Sequence, residues 1–136
     1  MWLDEIRTVI EALGWVHRPS LEVEQERIGT HAYHFNLRDS GKVITDIFYD
    51  YQCRTERREI QVTVKFATMQ HDSKYNHEVD AVQAELQLTN KLIDPSTWAT
   101  ATYVVAVGPN PAEPKMEYIE SVLYKTLTYT IWVRYA

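Results

Sequence analysis

The side chains able to do chemistry are few and scattered along the chain. Five histidines include two close pairs, His31 with His34 and His71 with His77. A zinc site needs cysteine or carboxylate partners converging at set spacings, and strand residues three apart point to opposite faces, so neither pair reads as a metal site. Asp46 and Asp50 lie four apart and, with Glu59, sketch the acidic cluster of a metal-dependent nuclease. Such a cluster normally carries a lysine two residues past the glutamate, where this chain has Gln61. These carboxylates read better as solvated charges on the wet face of a sheet. Cys53 has no second cysteine to pair with and no nucleophile signature around it. Four glycines form no phosphate-cradling loop. No catalytic residue, metal ligand or cofactor is expected.

Contact chemistry is better represented. Arg54, Arg57 and Arg58, interleaved with Glu56 and Glu59, are the densest charge cluster in the sequence. On one reading they make local ion pairs at a solvated strand entrance, which contribute little to stability. On the other they meet an oppositely charged partner, such as the Glu22, Glu24 and Glu26 segment of a neighbouring copy. The second reading expects that replacing Arg57 and Arg58 together by glutamate leaves the fold intact and blocks assembly. Four tryptophans and nine tyrosines are a generous aromatic supply for this size, and most must be core. Tyr124, Trp132 and Tyr135, near the C-terminus, are the aromatic candidates for an interface, where such residues are enriched.

The elements that must hold these residues follow from periodicity. From Glu59 to Phe66, Ile60, Val62, Val64 and Phe66 alternate with polar residues, the signature of a half-buried strand. Tyr75, Val79, Val82, Leu86 and Ile93, with Leu92 beside them, recur at helical steps and predict an amphipathic helix whose stripe covers that strand. Asp94-Pro95 ends it. Trp2, Leu3, Ile6, Val9, Ile10 and Leu13 predict a first helix, closed by Gly14 as a left-handed cap. Pro19 to Gly29 fits either an edge strand or an extended linker.

His31 to Leu37 and Val43 to Cys53 read as a hairpin about an Asp39-Ser40-Gly41-Lys42 turn. Ala101 to Val107 is a further strand, and Pro109, Pro111 and Pro114 mark an exposed loop. Ser121 to Tyr135 alternates throughout, and at roughly 3.3 Å per residue it is longer than a small domain needs. It must bend or serve something outside the fold. The order predicts a single α+β domain over residues 1–136, a mostly antiparallel sheet packed by an N-terminal and a central helix.

Composition bounds the function. The 136 residues, 45% hydrophobic and 24% charged, are those of a globular chain. A net charge of -5 argues against direct nucleic-acid recognition. No apolar run is long enough for a membrane span, the acidic start Asp4-Glu5 is unlike a signal peptide, and a lone cysteine fits a reducing cytoplasm.

This element order, ending in Leu127-Thr128-Tyr129-Thr130-Ile131-Trp132-Val133-Arg134-Tyr135, resembles the tail terminator, or tail-to-head joining, proteins of long-tailed bacteriophages. The resemblance implies a small α+β virion subunit, made in the host cytoplasm, that forms a homo-oligomeric ring, typically a hexamer. That ring sits on the head-proximal end of the tail, binding the tail tube protein on one side and the head-tail connector or neck protein on the other. It implies no enzymatic activity. The competing expectation is a small-ligand-binding or metal-dependent hydrolytic domain with Asp46, Asp50 and His34 lining a pocket.

Overall fold

Strand β3, Cys53–Phe66, lies at the centre of the sheet, and its alternation is borne out: Ile60, Val62, Val64 and Phe66 are all buried. The computed structural model describes residues 1–18, 33–50, 53–66, 74–119 and 122–135. Helix α1 spans Trp2–Glu11, β1 Val16–His17, β2 His34–Asp50, α2 Lys74–Ile93, β4 Val104–Pro109, β5 Lys115–Ile119 and β6 Val122–Tyr135. A short 3-10 turn, Pro95–Trp98, follows α2. The strands run β1-β2-β3-β6-β4 across the sheet, with β5 also on β6. All pairings are antiparallel except β1 with β2. The architecture is α+β, as expected.

Three expectations are corrected. The Asp39 to Lys42 stretch is no turn: β2 runs straight through it, with β3 alongside. From Asp39 to Val43 β2 advances four residues while β3 advances two, from Ile60 to Arg58, so the turn-forming residues are absorbed as an irregularity in one long strand. The chain reverses instead between Asp50 and Cys53. Secondly, the proline loop leads into a strand the sequence reading missed. β4 and β5 lie end to end along one edge of β6, β4 against residues 129–133 and β5 against residues 122–126. The length of β6 is therefore used within the fold, since β3 pairs with residues 123–135 along its other edge.

The third correction concerns α2. Its buried stripe is Ala81, Ala84, Leu88 and Leu92, whereas Val79, Val82 and Leu86 are exposed, the latter two at 62% and 61%. Both sets keep helical spacing, so periodicity alone fits either face. Alanines let the helix backbone come close to the sheet, and the larger side chains are left outside.

The helices cover one face of the sheet. Trp2, Ile6 and Ile10 of α1 and the α2 stripe join Phe35, Ile60, Val62, Val64, Leu127, Ile131 and Val133 in one core. Side chains fasten the helix ends. Glu5 of α1 accepts backbone N–H bonds from Thr102, Tyr103 and Val104, at 2.6, 2.9 and 2.8 Å, tying α1 to the start of β4. The last carbonyls of α2 are capped by Trp98 Nε1, which donates to Leu92 O, and by Thr97 Oγ1, which donates to Lys91 O. Asp94 caps the 3-10 turn by accepting from the Ser96 N–H and hydroxyl, which holds its carboxyl below the usual carboxylate range. Gly14 has φ +88°, the left-handed conformation expected of it after α1.

Candidate functional site

The arginine cluster divides between the two faces of the sheet. Arg58 lies on the helix side, level with Ile131 of β6. Its Nη1 donates to Asp39 Oδ2 at 2.8 Å and its Nε to Glu56 Oε2 at 3.1 Å, with the guanidinium 5.8 Å over the Trp2 ring. The Glu56 side chain is only 6% exposed, so Arg58 supplies the charge that a buried carboxylate requires. Arg58 is therefore an internal tie, and the expectation that an Arg57/Arg58 double reversal leaves the fold intact is replaced by an expected loss of stability.

Arg57 lies on the opposite, far face, where it stands in register with Trp132. A Cβ at Gly108 would come within 2.9 Å of the Trp132 ring, so the indole packs directly over Gly108 and is half-buried there. Further along the same face Lys65 Nζ lies 5.9 Å from the Tyr124 ring centroid. Arg54 and Tyr135 are brought together as a backbone pair at the end of β3 and β6. Glu22, Glu24 and Glu26 lie outside the described residues, as do His31 and His71.

The far face is consequently a polar sheet surface. Asn36, Arg38, Gln61, Thr63, Thr126 and Thr128 share it with Arg57, Lys65, Tyr124 and Trp132. His34 also belongs to it, level with Lys65, and is buried. The backbone places Asp46 and Asp50 further along β2.

Among the described residues, two further polar couplings on the helix side join α2 to β6. Lys125 is buried beneath α2 and donates to Glu85 at 2.5 Å. Tyr129 and Thr89 share a hydroxyl hydrogen bond of 2.8 Å. Burial pushes the Tyr129 phenol up to about 12, with the Thr89 bond opposing and Glu85 adding to the rise. Both couplings fix α2 on β6. An open groove of about 330 Å³ separates α1 from the 3-10 turn, lined by Asp4, Glu5, Thr8 and Trp98 among others. The Glu5 carboxylate is already engaged by three backbone N–H groups, as above.

The surface that the sequence reading missed is apolar. Val79, Val82 and Leu86 on α2, and Met116 and Tyr118 on β5, are large exposed hydrophobic side chains. Met116 and Tyr118 stand level with Lys125 and Leu123, so they lie on the helix side of the sheet. The signal was present as the Val79-Val82-Leu86 spacing and was assigned to the wrong side of α2. Among the described residues no three histidine, cysteine or acidic side chains gather as a metal site, and no helix is long and apolar enough to cross a membrane. No family model matches the chain, and no curated protein matches it in sequence.

Proposed function

We propose that this chain is a structural virion subunit that assembles as a ring on the head-proximal end of a long phage tail tube. There it terminates the tube and joins tail to head. The observation that carries this reading is the exposed apolar row Val79, Val82 and Leu86 on a helix that already has a separate buried stripe. A soluble chain that keeps such a row outside its own core provides a surface for another protein. The element order supports the same reading, since two helices on one face of a mostly antiparallel sheet match what the resemblance to tail terminators implies. Mechanistically the protein acts by occupancy: subunits bind the last ring of the tube, adopt its symmetry and cover the surface on which another ring would add.

The test is native mass spectrometry with negative-stain microscopy of the purified protein over a range of concentrations. Closed rings of one subunit number, with six the expected count, support the reading. A monomer at every concentration, alone and with the tube protein of the same phage, rejects it.

A further inference from the structure

Charge is unevenly divided between the two faces of the molecule. Although the whole chain carries -5, the described side chains on the far face of the sheet are mostly basic. Among the described side chains, Arg38, Arg57, Lys65, Lys115 and Arg134 stand there against two carboxylates, Glu59 and Glu117. Arg38, Lys115 and Arg134 are exposed. The helix layer is the reverse. Among the described side chains of α1, α2 and the 3-10 turn with its N-cap Asp94, acidic residues outnumber basic ones six to two, with Asp4, Glu11 and Asp94 exposed.

Non-polar groups follow the same division. The helix layer offers Val79, Val82 and Leu86, and the far face offers Tyr124 and Trp132 between its cations. Each face thus has what the other needs: an apolar centre and charge of opposite sign around it.

We propose, resting on the ring reading, that copies associate head to tail, the far sheet face of one copy seated on the helix layer of the next. An isologous contact would set acidic helices against acidic helices, or basic sheet against basic sheet, and like charges oppose both. A heterologous contact pairs unlike faces at every step, and it closes into a ring when the rotation between copies completes a circle. The occupant of the basic sheet face is therefore a second copy of this chain, and the same contact repeated supplies the whole ring.

Two exposed-residue variants test the pairing. R38E/K115E/R134E makes the sheet face acidic, and D4K/E11K/Q83K makes the helix layer basic. Each alone opposes like charges at every contact, whereas an equimolar mixture restores unlike charges at all of them, in alternation. Circular dichroism and thermal unfolding establish that each variant is folded. Sedimentation velocity is expected to show self-association weakened about tenfold or more for each variant alone, and recovered on mixing at low salt.

Variants that assemble as the wild type does, or a mixture that fails to recover, would overturn the head-to-tail pairing while leaving the ring reading standing if wild-type rings form. Wild-type protein that never self-associates, alone or with the tube protein of the same phage, would overturn both. A fluorescent oligonucleotide is included as an alternative occupant. Tight binding to the wild type that is lost in R38E/K115E/R134E, without any self-association, would assign the basic face to nucleic acid and overturn the proposal.

Discussion

Arg58 shows how one residue separates a structural charge from a contact charge. It is tied to Asp39 and to the buried Glu56, so truncation leaves a carboxylate without its cation. Arg58→Ala is expected to lower unfolding free energy by about 1–3 kcal/mol, less than a fully buried pair because Arg58 keeps some exposure. Urea denaturation measures it, and a loss below about 0.5 kcal/mol, the range of a neutral surface change, would contradict the assignment. Gly108 makes a second case: Gly108→Ala forces a methyl group into the Trp132 ring and is expected to cost about 1–3 kcal/mol by overpacking.

His17 offers a test by pH. Burial, reinforced by Arg7 and opposed by Glu11, holds its imidazole below the ordinary value. The folded state therefore favours neutral His17, and its contribution is complete above about pH 6.5 and is lost as pH falls through the lower folded value. A two-dimensional NMR titration should place the His17 midpoint below 6.5; a midpoint at or above that value would reject the stated environment.

At the scale of elements, α2 gives the sharpest contrast. Leu88→Ala empties a fully buried position and should cost about 2–5 kcal/mol, while Leu86→Ala, two residues earlier, should change stability by less than about 0.5 kcal/mol. Equal losses in thermal or urea unfolding would mean that the helix is rotated from the orientation described. Sequence reading recognised the helix but put Val79, Val82 and Leu86 on its buried side and, apart from Leu92, did not pick out the row that packs on the sheet. The true contact row contains Ala81 and Ala84, whose small side chains add little to a hydrophobic pattern while permitting close packing.

β3 was legible because burial of one face imposes strict alternation on it. The Asp39 to Lys42 stretch misled because turn-forming residues mark a reversal only when no neighbouring strand keeps pairing with the chain, and here β3 does. β5 was hidden behind three prolines, since Lys115 to Ile119 is too short to show a period of its own. The candidate site was partly legible for a related reason. Sequence pointed to charge and aromatics near β3 and β6, but the face that Arg57 and Arg58 each occupy is settled by register.

At the scale of the molecule, the sheet has one face packed under helices and one polar face, and its exposed apolar row lies on the helices rather than in a cleft. That distribution suits a subunit recognised over broad surfaces better than one that encloses a ligand. Val82→Glu with Leu86→Glu should leave the unfolding midpoint close to wild type and abolish ring formation in native mass spectra. Rings that persist in this double variant would remove the α2 row from the interface.

Termination of the tube is tested by the length distribution of tail tubes grown from the cognate tube protein, with and without this chain, read by electron microscopy. Tubes are expected to stop lengthening when the protein is added and to carry a ring at one end. Tubes that grow to the same lengths with bare ends in its presence would contradict the terminating role.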